Sequence, residues 1–103
     1  MIPGLDCVLK ANIISALKNI KVVEAIYLFG SRARGDYQER SDIDLAIQCQ
    51  HATDGDWAII MNKIELLPTL LKIDCIRLDT LKKSNPLYQA IMRDKVTLYQ
   101  KGL

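Results

Sequence analysis

The stretch Phe29-Gly30-Ser31-Arg32-Ala33-Arg34-Gly35-Asp36-Tyr37-Gln38-Glu39-Arg40-Ser41-Asp42-Ile43-Asp44-Leu45 decides how this chain is read. Before it, Val22 to Phe29 is a run of mostly apolar residues that reads as a buried strand ending at Gly30. After it, Ile43, Leu45 and Ile47 alternate with other residues from Asp42 to Gln48, which reads as a second strand. Residues two apart on a strand project from one face, so Asp42 and Asp44 stand side by side while Ile43 and Leu45 turn towards the core. Two carboxylates that close repel each other, and each resists ionising unless a cation lies between them.

The connection from Gly30 to Ser41 is long for so small a chain, and long connections in compact domains are often functional. Its first residues complement the carboxylates. Glycine at position 30 lets the backbone approach an anion closely. A helix starting at Ser31 presents free amides and a favourable dipole, and the Ser31 hydroxyl donates to a phosphate oxygen. Arg32 and Arg34 add guanidinium groups suited to phosphate, although both read equally well as surface residues. Mg²⁺ takes one or two carboxylates together with substrate phosphates. A nucleoside triphosphate chelated to Mg²⁺ therefore satisfies both halves of the segment.

A third acid lies further along. Asp74 interrupts the apolar strand Ile73 to Leu78, and an unpaired charge buried there is costly. If this strand lies beside the second, Asp74 faces Asp42 and Asp44, and three carboxylates suffice to hold two metal ions. Asp74 is then the natural general base for an incoming hydroxyl. Asp79 falls on the opposite face, at the strand end, and is the weaker choice.

Working outward, Asp6 to Asn19 reads as a helix capped by Asp6, with Leu9, Ile13, Ala16 and Leu17 at helical spacing. Asp54-Gly55-Asp56 reads as a turn and cap for a helix that carries Trp57, Ile60, Met61, Ile64 and Leu67 on one face and ends at Pro68; Trp57 and Met61 belong to the core on this reading. Thr80 to Ser84 fits a helical turn, Ser84 or Asn85 before Pro86 starts a last helix running to Arg93, and Val96 to Tyr99 closes as a short strand. These elements describe one domain over residues 1–103, α/β or α+β in class, with a small mixed sheet and flanking helices.

The whole-chain properties narrow the field. The 103 residues are 50% hydrophobic and 25% charged, as in a soluble globular domain. A net charge of +2 gives no strongly basic face, so direct nucleic-acid binding is not expected. No apolar run suits a membrane span, and the start Met1-Ile2-Pro3-Gly4-Leu5-Asp6 lacks the pattern of a leader, so a cytoplasmic protein is expected. Cys7, Cys49 and Cys75 are odd in number and widely spaced, which reads as three free and mostly buried thiols. His51 with Cys49 has no further partner for a zinc site and reads as a loop residue. Asp36, Glu39 and Arg40 read as solvated loop, and Tyr37 either stacks on a base or is a plain surface residue. Lys82 and Lys83 read as solvated surface or as a contact for an acidic partner.

Gly30-Ser31, ten residues, then Asp42-Ile43-Asp44 resembles the signature of the nucleotidyltransferase superfamily with its DNA-polymerase-beta-like palm. The chain is similar in length and motif context to the minimal nucleotidyltransferases. The resemblance implies Mg²⁺ as cofactor, in two ions, with ATP as substrate. It implies Asp42, Asp44 and Asp74 as metal-binding and catalytic residues, and Gly30, Ser31 and Arg32 as nucleotide-binding residues. It further implies a HEPN-domain partner, with this chain as antitoxin that transfers AMP to a tyrosine of that partner. The competing expectations are a non-catalytic module that neutralises the partner by occlusion, and transfer to a small molecule, for which the chain looks too short to build a pocket unless a partner or a homodimer supplies it.

Overall fold

The computed structural model describes residues 3–102. Met1 and Ile2, read above as part of the N-terminus, lie outside them. The elements in chain order are α1 (Cys7–Leu17), β1 (Ala25–Phe29), α2 (Ser31–Arg34), β2 (Ile43–Gln48), α3 (Asp54–Glu65), β3 (Ile73–Arg77), a 3-10 turn (Leu78–Thr80), α4 (Pro86–Asp94) and β4 (Val96–Gln100). The strands form one mixed sheet in the order β3-β2-β1-β4. β1 is antiparallel to β2 and β4, whereas β2 and β3 run parallel. A parallel neighbour demands a crossover, and α3 supplies it. The expected α/β class with a small mixed sheet is the one observed.

Both faces of the sheet are covered, which explains why β1 reads as a continuous apolar run. On one face Ile26, Leu28, Ile43, Leu45 and Ile47 pack with Leu9, Ile13 and Leu17 of α1 and Ile60 and Ile64 of α3. On the other, Phe29 and Ala46 pack with Leu78 of the 3-10 turn and Ile91 of α4. Alternation along β2 puts Asp44 and Ala46 on this second face. α4 and the 3-10 turn cover Ala46, and the acids lie beyond that cover, towards the start of β2 and β3. Trp57 is half-buried against the first core, as expected. No helix among the described residues is long and apolar enough to cross a membrane.

Local details correct three sequence expectations. α3 is capped by Thr53, in a reciprocal capping box with Asp56; Asp54 is its first helical residue. The helical turn expected at Thr80 to Ser84 forms earlier, at Leu78–Thr80, and ends β3 at Arg77. Of the thiols, Cys49 is buried and Cys75 half-buried, but Cys7 is exposed. Asp6 caps α1 through Leu9 N, and Asn85 caps α4 with Pro86 in its first turn, both as expected.

Candidate active site

β1 ends at Phe29, whose register partner on β2 is Asp44. The register partner of Asp44 on β3 is Asp74. Directly paired residues on neighbouring strands project from the same face about 5 Å apart. The sheet therefore sets two carboxylates beside each other, with the turn after β1 on the far side of Asp44. Asp42 precedes β2 and is exposed.

Gly30 closes this arrangement from the β1 side. Its backbone has φ 75° and ψ −157°, a conformation open almost only to glycine. A Cβ built there would overlap Asp44 Oδ2 and lie 3.2 Å from Asp44 Cγ. Gly30 thus seats the chain directly against the Asp44 carboxylate. α2 starts immediately after it, at the expected Ser31, and ends at Gly35 in the left-handed conformation. With four residues, α2 has little dipole; whatever it offers an anion comes from the amides of its first turn and the Ser31 hydroxyl.

The electrostatics follow from the crowding of acids. Partial burial, followed by the charges of Asp74 and Asp42, pushes the Asp44 carboxyl above its ordinary range, against smaller opposing effects of Arg34 and Lys72. Lys72 Nζ lies 3.5 Å from Asp74 Oδ1 in a largely exposed pair, a geometry of small energetic value. Asp74 is thus half-exposed rather than buried, and the premise that its charge needs an interior partner does not hold.

The residues present suit a hard divalent cation. The donors are carboxylate oxygens, the preferred ligands of Mg²⁺, and the mutual repulsion at Asp44 is the kind that a cation relieves. Among the described residues no three His, Cys, Asp or Glu side chains are already drawn together into a metal cluster. The exposed Asp42 and half-exposed Asp74 have room to turn towards Asp44.

Arg32, expected at the nucleotide phosphates, is placed elsewhere. Its side chain is buried and donates from Nε to Ser41 O at 3.0 Å, from Nη1 to Gly4 O at 2.9 Å and from Nη2 to Glu39 O at 2.9 Å. Its guanidinium also lies 5.1 Å from the centroid of the Tyr37 ring, and Tyr37 Oη donates to Pro3 O at 2.7 Å. Arg32 and Tyr37 therefore fasten the connection to the segment before α1 and fix where Asp42 begins. Sequence reading missed this role for both; nothing local in the sequence signals it, because the acceptors are backbone carbonyls of distant residues. Replacing Arg32 with lysine keeps the charge but not the three-pronged fork, and we expect it to destabilise the fold by about 1–3 kcal/mol, measured by urea denaturation.

Arg34 remains at the mouth of the site. It donates to Asp36 at 3.2 Å and to Asp94 at 3.1 Å, which ties α2 to the end of α4. Hydrogen bonds from Arg93 and then Arg34 hold the Asp94 carboxyl below its ordinary range. Asp79, the weaker acid candidate, accepts from Cys49 N, Cys49 Sγ and Arg77 Nε, so it braces the end of β2 away from the other acids. His51 is exposed in a turn.

This geometry has recognisable relatives. The family model described as polymerase beta, nucleotidyltransferase, matches residues 11–102. No curated protein matches the sequence significantly. Among solved structures, a toxin-antitoxin with AMP-PNP is similar at a TM-score of 0.68 and 26% identity, over 90% of this chain and 74% of that one. A tri-AMPylated Shewanella oneidensis HEPN toxin in complex with MNT antitoxin matches at 0.63 and 21%, over 91% and 71%. A "putative nucleotidyltransferase" from Sulfolobus solfataricus matches at 0.56 and 21%, over 89% and 77%. The last two likenesses concern the fold. Since the family model spans nearly the whole sequence, the chain belongs to the polymerase beta nucleotidyltransferase family.

Proposed function

We propose that this protein transfers AMP from MgATP to a hydroxyl of a partner protein, a tyrosine of a HEPN-domain toxin, and acts as that toxin's antitoxin. The observation that carries the reading is the register pair Asp44 and Asp74, set side by side with the Gly30 backbone seated against Asp44. The similarity to a toxin-antitoxin with AMP-PNP supports the choice of nucleotide and partner.

Asp42, Asp44 and Asp74 would hold Mg²⁺, which when bound neutralises phosphate charge and polarises the α-phosphate. Gly30 and the first amides of α2 receive the phosphates from the β1 side, with the Ser31 hydroxyl as a further donor. Arg34, anchored by Asp94, adds positive charge at the mouth. Asp74 takes the proton of the acceptor hydroxyl. The acceptor oxygen bonds to the α-phosphorus, the bond from that phosphorus to the bridging oxygen breaks, and pyrophosphate leaves with the electron pair. Arg32 acts one step removed, by holding the connection that positions Asp42.

Incubation of the protein with its cognate HEPN partner, Mg²⁺ and ATP labelled at the α-phosphate should transfer label to the partner. No transfer to the true partner sinks the reading. A variant with Asp42, Asp44 and Asp74 all replaced by asparagine should bind the partner but fail to modify it; full neutralisation by that variant at equal stoichiometry would favour occlusion instead.

A further inference from the structure

The sheet order makes the two sides of Asp44 unequal. Gly30 and α2 lie on its β1 side, and Asp74 lies on its β3 side. In-line displacement places the entering and leaving oxygens on opposite sides of the phosphorus. With phosphates on the β1 side, an acceptor must enter from the β3 side.

A cleft of about 530 Å³ opens there, lined by Arg40 and Asp42 from the connection before β2 and by Leu70, Leu71 and Lys72 from the segment before β3. It shares Asp42 with the site, and Lys72 is the residue paired with Asp74. Its chemistry is two-sided. Leu70 is fully exposed and Leu71 half-buried, which gives an apolar wall. Arg40 and Lys72 are both exposed cations at its edge. A nucleic acid would be poorly served by an aliphatic wall, because bases favour aromatic platforms. A leucine wall rimmed by cations complements a peptide with apolar and acidic residues.

We propose that this cleft docks the acceptor segment of the partner protein: an extended peptide that places an apolar side chain on Leu70 and Leu71, a carboxylate against Arg40 or Lys72, and its hydroxyl at Asp74. This rests on the transferase reading above. It assigns Leu70 and Arg40 as specificity-determining residues that touch neither ATP nor metal.

The test uses isotope-labelled protein followed by NMR amide shifts. MgAMP-PNP is added first, then one of three probes: the peptide acetyl-Glu-Leu-Tyr-Leu-Glu-amide, its counterpart acetyl-Lys-Ser-Tyr-Ser-Lys-amide, or a uridine pentanucleotide. The acidic, apolar peptide should shift the amides of residues 40–42 and 70–72 and bind about ten-fold or more tightly than either alternative. Leu70→Ser and Arg40→Glu should each weaken that peptide about five-fold or more while leaving MgAMP-PNP affinity within about two-fold. Equal binding of the two peptides, indifference to both substitutions, or preference for the pentanucleotide overturns the proposal. Absence of MgAMP-PNP shifts at Gly30 and Ser31 would instead overturn the transferase reading, and the cleft assignment with it; intact nucleotide shifts with a silent cleft overturn the cleft assignment alone.

Discussion

Asp44→Asn should abolish AMP transfer and at the same time make the metal-free protein more stable. The loss should be about a thousand-fold or more in kcat/KM, since the central oxygen donor of the site is replaced by a neutral amide while the fold is kept. The gain follows from the raised Asp44 carboxyl. A carboxyl with a folded pKa above its ordinary 3.8 leaves stability intact below that value and removes some as pH rises through the folded pKa. At neutral pH the ionised Asp44, partly buried and then crowded by Asp74 and Asp42, is therefore a net cost, and asparagine removes it. Because the group is only partly buried and solvent still screens it, the gain should be small, a rise in Tm of roughly 2–4 °C at pH 7 that vanishes below the ordinary carboxylate range. Thermal melts of both proteins across pH check this. Millimolar MgATP should then reverse the ranking, raising the Tm of the wild type by mass action and leaving Asp44→Asn nearly unmoved. Equal stabilisation of both proteins by MgATP would show that Asp44 does not contribute to holding the metal-nucleotide complex.

That a site can be destabilising when empty bears on how it could be read. The conjecture that Asp74 lies beside Asp44 needed only β3 next to β2, and the parallel register provides it; Asp42, read as part of the same strand, instead precedes β2. These features are local or depend on one neighbour choice. Helix caps were legible to within a residue for the same reason, with Thr53 rather than Asp54 taking the cap of α3 because its hydroxyl reaches Asp56 N while Asp56 reaches back. Arg32 was not legible. Its placement depends on the carbonyls of Gly4, Glu39 and Ser41 converging in space, and backbone acceptors leave no trace in residue type. The same holds for the cleft beside Asp42: Leu70 and Arg40 are thirty positions apart, and only the parallel β2–β3 pair brings their segments together. Motif spacing carries the chemistry of a site well, whereas the walls around it depend on tertiary closure.

Gly30→Ala should disable transfer through a single added methyl at the site. Two effects coincide at this residue. A non-glycine residue at φ 75° and ψ −157° costs about 1–3 kcal/mol of backbone strain. The added Cβ also overlaps Asp44 Oδ2. The backbone of Asp44 is pinned by its neighbours Phe29 and Asp74, so the side chain must give way. Rotation of the carboxylate relieves the clash but takes it off the face of the loop, so we expect transfer to fall about a hundred-fold or more, beyond what the stability loss explains. Gly35→Ala separates the two effects. Gly35 also has positive φ, at 95°, but nothing lies within 4 Å of a Cβ there. It should lose about 1 kcal/mol of stability, as expected for a left-handed helix terminus, and keep transfer within a few-fold of wild type. Urea denaturation and label transfer on both variants decide the matter. Similar stability losses with activity lost only in Gly30→Ala locate the requirement for glycine at the contact with Asp44; parallel loss of activity in both would assign it to the backbone of the α2 turn instead.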